Sequence, residues 1–172
     1  MYINDFIEQM CLGERSNLYL GGQGQVELSP MRRKKIIAYT NQGLKALCSR
    51  FQLVQKELII RGKDRMALYP LRKEHSMTNG TSTVKFIDDR MCDPFEGGVI
   101  KILGVFNEMG MEFPINDHQR NDSLFTPSFD TLQITHAVED QGYSVIYQAL
   151  HPIIVDEDCG CQEFNLPPML EE

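Results

Sequence analysis

Ile36, Ile37, Thr40, Leu44, Leu47, Cys48 and Phe51 recur at three- and four-residue spacing, which places them on one helical face. Ser29-Pro30 supplies the start: a side-chain oxygen that can cap free N–H groups, then a proline whose missing N–H costs nothing there. From Gln52 the period shortens to two. Val54, Leu58 and Ile60 point one way and Gln55, Glu57 and Arg61 the other, as on a half-buried strand. Gly62-Lys63 can then turn the chain into a return strand through Met66 and Leu68, ending near Pro70. The pattern over residues 28–69 thus predicts a helix feeding a hairpin, the piece around which the chain is organised.

Upstream, Ile3, Phe6, Ile7, Met10 and Cys11 predict an amphipathic helix that Gly13 stops. Residues 17–25, with Gly21, Gly22 and Gly24, form a link. Downstream, residues 71–82 are polar and turn-rich, 84–87 a short strand, and 88–98 a loop with Asp93-Pro94 and Gly97-Gly98. Residues 99–106 are the most apolar strand. Simple alternation puts Val99, Leu103 and Val105 on one face and Ile100, Ile102 and Phe106 on the other, so the strand is central or lies at a subunit contact. Glu108-Met109-Gly110 turns it into residues 111–115, where Pro114 marks an edge or strand end. A loop over 116–123 leads through Phe125 and Phe129 to a strand at 131–134, and Tyr143, Val145, Tyr147 and Ala149 define a last strand. The fold class predicted is α+β: helices with a mostly antiparallel sheet or small sandwich. One domain is expected, helical over roughly 1–51 and β-rich over 52–155, with a tail at 156–172. Within that tail, residues 165–172 read as a helix beginning with no helix after it, as expected either of a shortened gene product or of a sequence that ends before the natural terminus.

Charge narrows the partners. A net charge of −7 argues against a dedicated nucleic-acid binder, because phosphate binding relies on clustered cations. Arg32, Arg33, Lys34 and Lys35 run against this trend and sit in a first helical turn, where cations oppose the helix dipole. They are a solvated face or a contact with an acidic or phosphate-bearing partner. The first residues lack the basic and apolar regions of a signal peptide, and the five cysteines, an odd number, fit reduced thiols in a cytosol.

Candidate chemistry is sparse. Cys159-Gly160-Cys161, with His151 and the acids Asp156, Glu157 and Asp158, has the ligand types of a metal site but not the spacing of structural zinc. No serine lies in a nucleophile elbow and no catalytic signature surrounds a cysteine, although His75, His118, His136 and His151 are available as bases. Gly21-Gly22-Gln23-Gly24 lacks the lysine and the preceding strand of a phosphate loop. The residues predict no catalytic site, no metal and no cofactor.

Three stretches carry a resemblance. Tyr39, Asn41, Gly43, Leu44, Leu47, Arg50 and Phe51 fill one helical pattern; residues 113–117 with 123–134, and residues 143–152, are the others. Together they resemble the head-to-tail connector, or adaptor, proteins of tailed bacteriophages. The resemblance implies a virion protein without enzymatic activity, assembled in the host bacterial cytoplasm. It implies a ring of identical subunits, commonly twelve, between the portal protein and the tail or nozzle proteins. Genomic DNA would pass through its channel without sequence-specific binding, and an acidic channel would let DNA slide. On this reading Arg32, Arg33, Lys34 and Lys35 make a subunit or portal contact, while Val99, Leu103, Val105, Phe125 and Phe129 serve ring or sheet packing. The alternatives are another tail or neck component, such as a tail-completion or tube-like protein, and a small cytosolic enzyme or ligand-binding domain.

Overall fold

Helix α2 (Pro30–Arg50) buries Ile36, Ile37, Leu44 and Cys48, the stripe its spacing predicts. The structure, a computed structural model, describes residues 3–12 and 30–155. Ser29, Gly13, the glycine-rich link and the tail with Cys159 and Cys161 lie outside the described residues. Helix α1 (Ile3–Leu12) adds Ile7 to the α2 stripe, with Phe6 packed beside it. The same cluster takes Ile154 from the returning chain. Asn41 fixes that segment: its side-chain amide donates to the Ile154 carbonyl and its oxygen accepts the Ile154 N–H, both at 2.9 Å. Phe51 departs from expectation, being 57 % exposed. It follows the last helical residue; its N–H closes the final turn on the Leu47 carbonyl, and the ring leaves the apolar face.

Residues 54–150 form a second compact unit, distinct from the helical one, which comprises the chain up to Leu53 and from His151 onward. It contains two antiparallel sheets. The larger runs β3 (Ile87–Asp88), β1 (Gln55–Arg61), β7 (Gly142–Ala149), β4 (Val99–Asn107). The smaller runs β2 (Leu68–Pro70), β6 (Thr131–Gln133), β5 (Phe125–Ser128). Both sheets feed one core, where Ile60 and Val145 of the larger, with Phe86 just before β3, meet Tyr69 and Leu132 of the smaller. The protein is α+β.

The predicted hairpin between β1 and β2 does not form. Both edges of β1 are occupied, by β7 along its full length and by β3 at Ile59 and Ile60. At its end, the Gly62 N–H bonds the Gln141 carbonyl and the Asp140 N–H bonds the Gly62 carbonyl. The chain therefore crosses to the other sheet, where β2 pairs with β6. Tyr69 secures the crossing. Its hydroxyl accepts the Lys63 N–H and donates to the Met66 carbonyl, each at 3.0 Å, and its fully buried ring meets Phe86 edge-on. Removing that hydroxyl leaves two backbone groups without it, so Tyr69→Phe is expected to cost about 1–3 kcal/mol, measured by denaturant unfolding.

Strand β4 lies at a sheet edge and is not central. Its register against β7 shifts between Val99 and Lys101 and again between Ile102 and Gly104. Two bulges between Val99 and Gly104 break simple alternation. Val99, Ile102 and Val105 consequently enter the core together, while Leu103 remains half-buried. The turn at 108–110 is as expected, with Gly110 at φ 78° and the Asn107 side chain accepting the N–H groups of Met109 and Met111. The return over 111–115 makes only isolated bridges, Phe106 with Glu112 and Ile115 with Leu124.

Candidate interaction surfaces

The basic turn stands at the start of α2. Arg33 Nη2 donates to the Asn4 side chain of α1 at 2.9 Å, which ties one of the cations into the helical unit. Lys34 and Lys35 are exposed and flank a shallow, mostly apolar depression formed with Pro30, Met31 and Ala38. Farther along, Tyr39 is 71 % exposed. No acid lies in the first turn of α2 to answer these charges, so the helix dipole and the lysines add to one positive patch.

The five predicted packing residues divide. Val99 and Val105 are buried in this chain's own core. Leu103 and Phe125 are half-buried, Phe125 against the His118 ring at 5.0 Å. Phe129 is 64 % exposed at the tip of the β5–β6 hairpin. That tip is held firmly. Burial raises the Asp130 carboxyl, but hydrogen bonds from Arg72 Nε, Ser128 Oγ and Thr131 Oγ1, each 3.1 Å, outweigh it and hold the group below the usual carboxylate range. The Leu71 N–H also binds the Asp130 carbonyl. Phe129 is therefore an apolar side chain presented to solvent on a braced turn, a good anchor because little freedom remains to be lost on contact.

Two open grooves cross the larger sheet. One, of about 470 Å³, runs over its outer face between Ile59, Ile146 and Phe106, with Glu57, Arg61 and Ser144 among its polar walls. Arg61 is pinned by Nε and Nη2 to one oxygen of Asp88, at 3.0 and 2.9 Å. The second, about 520 Å³, is lined by Glu57, Asp88, Asp93, Glu96, Lys56 and Arg90. Beneath it the Tyr147 hydroxyl is pushed up to about 12 by burial, with the negative charge of Asp93 adding, so it stays protonated.

Of the candidate bases, His75 and His151 are engaged in packing or backbone contacts, His118 lies against Phe125, and His136 is exposed. His75 stacks on Phe86 and its Nδ1 meets the Val84 carbonyl at 2.9 Å. His151, buried in the helical unit, has Nδ1 at 2.7 Å from the Pro152 carbonyl. Cys48 is buried and Cys92 exposed. Among the described residues no group of three His, Cys, Asp or Glu side chains is placed to hold a metal ion, and no helix is long and apolar enough to cross a membrane.

Sequence reasoning missed strand β5, whose Pro127 argues against pairing; its position on a sheet edge, where a proline N–H is not needed, is the signal that fits. It also missed Asp89, which organises the loop between the sheets' edges. The chain is thus an α+β protein whose described surface carries a basic helix start and a braced aromatic tip. No protein-family model matches it, and no curated protein matches it significantly.

Proposed function

We propose that the chain is a structural component of a tailed-bacteriophage virion, the head-to-tail adaptor: a ring of subunits, twelve on this reading, between portal and tail, with the genome passing through. The resemblance in α2, in residues 113–117 with 123–134, and in residues 143–152 suggests it. The observation that carries it is the distribution of large apolar side chains outside the core. Phe129, Tyr39, Met31, Met91, Met109 and Met111 all lie exposed, on loop tips and on α2 rather than in one pocket. A surface of that kind suits several neighbours at once, as in a ring whose subunits also touch partners above and below. The acidic balance of the chain is compatible with DNA passing without adhering.

The direct test is to mix the purified chain with purified portal and image the product by electron microscopy. A ring stacked coaxially on the portal supports the adaptor; a lone compact monomer in the presence of portal overturns it. Two variants localise the contacts. Reversing the charges of Arg32, Arg33, Lys34 and Lys35 together is expected to weaken ring assembly, read as the fraction of chain sedimenting with portal; unchanged assembly removes the basic turn from the interface. Phe129→Ala is expected to reduce association about tenfold or more, as central aromatic anchors do, with an unchanged melting temperature because the ring is exposed in the free chain.

A further inference from the structure

Asn79 and Gly80 are the chain's one asparagine–glycine pair. In such a pair the glycine nitrogen, unscreened by a Cβ, can attack the side-chain amide of its neighbour. Asn79 is exposed, yet the folded chain holds each group that this reaction needs. The Gly80 N–H donates to the Ser76 carbonyl at 3.1 Å, so the nitrogen that would attack is engaged and keeps its proton. The Asn79 N–H donates to Ser76 Oγ at 3.3 Å, and its side-chain Nδ2 donates to Glu96 Oε1 at 3.4 Å. Asp89 fixes both neighbours in turn: its Oδ2 accepts Ser76 Oγ at 2.7 Å and its Oδ1 the Thr78 N–H at 3.0 Å. Ring closure would turn the Asn79–Gly80 peptide, and Gly80 lies hard against backbone, with the place of a Cβ overlapping the Ser76 and Glu74 carbonyl oxygens.

We propose that Asn79–Gly80 is a self-modification site gated by the coil of residues 74–82: it is sealed while the coil is closed, deamidates when the coil opens, and then prevents reclosure. In the open chain, hydroxide removes the Gly80 amide proton and the nitrogen forms a bond to Asn79 Cγ. The bond from Cγ to Nδ2 breaks, and Nδ2 takes a proton from water and leaves as ammonia, which regenerates the hydroxide. Water then opens the succinimide at one carbonyl or the other, giving aspartate or isoaspartate. Neither product fits the closed geometry. Aspartate has no donor for Glu96 Oε1 and sets a second carboxylate where that donor stood, beside a Glu96 whose other oxygen Lys73 already holds at 2.5 Å. Isoaspartate routes the main chain through the side-chain carbon, adding a backbone atom inside the turn that the Gly80 N–H closes on Ser76. Because deamidation is slow beside opening and reclosing, its rate follows the open population. The inference is independent of the adaptor reading.

The test keeps the full chain folded in mildly alkaline buffer for several days, beside the same chain unfolded in guanidinium chloride. Asn79 is followed by peptide mass spectrometry, with isoaspartate resolved by chromatography. Deamidation in the folded chain is expected to run about tenfold or more below that in the unfolded chain, the factor set by breaking two hydrogen bonds on opening. Thr78→Val in plain buffer gives a second readout. It removes an exposed hydroxyl that binds Asp89 Oδ2 without emptying the core, and is expected to raise Asn79 deamidation about fivefold with circular dichroism unchanged. Equal rates in the folded and unfolded wild type overturn the gate, as does a rate unmoved by Thr78→Val. Reclosure is read on the isoaspartate-bearing chain, isolated by ion exchange. Its Gly80 and Ser82 amides should exchange with deuterium about tenfold faster or more than in the unmodified chain; equal protection overturns the claim that modification prevents reclosure.

Discussion

Gly80→Ala is expected to lower the melting temperature by about 10 °C. A Cβ at this position would stand 2.2 Å from the Ser76 carbonyl oxygen, 2.6 Å from that of Glu74 and 2.8 Å from the Ser76 nitrogen. All three are backbone atoms, so no rotamer change relieves the contact. The backbone comes this close because Gly80 donates to the Ser76 carbonyl and Ser82 donates to the Glu74 carbonyl, drawing residues 74–82 into a tight coil. Forcing it apart disturbs Ser76, which is itself fully buried. Overpacking of this kind costs roughly 3 kcal/mol, and a protein of this size shifts by about 2–4 °C per kcal/mol. Gly43 provides the comparison. It lies in α2 with nothing within 4 Å of its would-be Cβ, so Gly43→Ala is expected to stabilise the protein by about 0.5–1 kcal/mol through helix propensity alone. Calorimetry on the two variants should show shifts of opposite sign. Equal shifts would mean that the close backbone approach at Gly80 is absent.

What was legible in the sequence is what short-range periodicity encodes. The helical spacing from Ile36 to Cys48 and the alternation through Leu58 and Ile60 both identify residues that the fold buries. Partner choice was not legible. Gly62-Lys63 has the composition of a hairpin turn, yet the alternative partner for β1 lies more than eighty residues away in β7, and nothing local announces it. Alternation failed in β4 because each bulge inserts a residue that composition does not mark, which exchanged Leu103 for Ile102 on the core face. The basic start of α2 was visible as a charge run. That Arg33 is held by Asn4 while Lys34 and Lys35 stand clear depends on α1 packing, which a run of four cations cannot show. Phe129 and Val105 were both expected to serve ring or sheet packing; the β5–β6 turn puts one on the surface and the bulged β4 puts the other inside.

Asp89→Ala is expected to cost about 3 kcal/mol at neutral pH, and that cost is expected to shrink in acid. The carboxylate gathers the loop that follows β3. Its Oδ2 accepts Ser76 Oγ at 2.7 Å and the Phe95 N–H at 2.9 Å, its Oδ1 accepts the Thr78 N–H at 3.0 Å, and the Thr78 hydroxyl also binds Oδ2. Burial pushes the carboxyl up, but the hydrogen bonds from Thr78, Ser76 and the Phe95 N–H outweigh it, leaving the group well below the usual carboxylate range. Hydrogen bonds to a charged group contribute about 1.5–3 kcal/mol each when a partner is lost; several share one carboxylate here, so their contributions do not sum. The pH dependence follows from the direction of the shift. With a folded value below the unfolded 3.8, the folded state holds fewer protons, so the stabilisation is fully present above about pH 4 and is lost as pH falls toward the folded value. The measurable quantity is the stability difference between wild type and Asp89→Ala at pH 7, 4 and 3, by urea unfolding. It should be constant from pH 7 to about 5 and decline below 4. Asp130 and Asp122, also held low, titrate in both proteins and cancel in that difference. A difference that stays level to pH 3 while both proteins remain folded would mean that the folded and unfolded values coincide; the carboxylate would then not be the group that closes this loop, and the geometry joining Ser76, Thr78 and Phe95 would have to be held by their own packing.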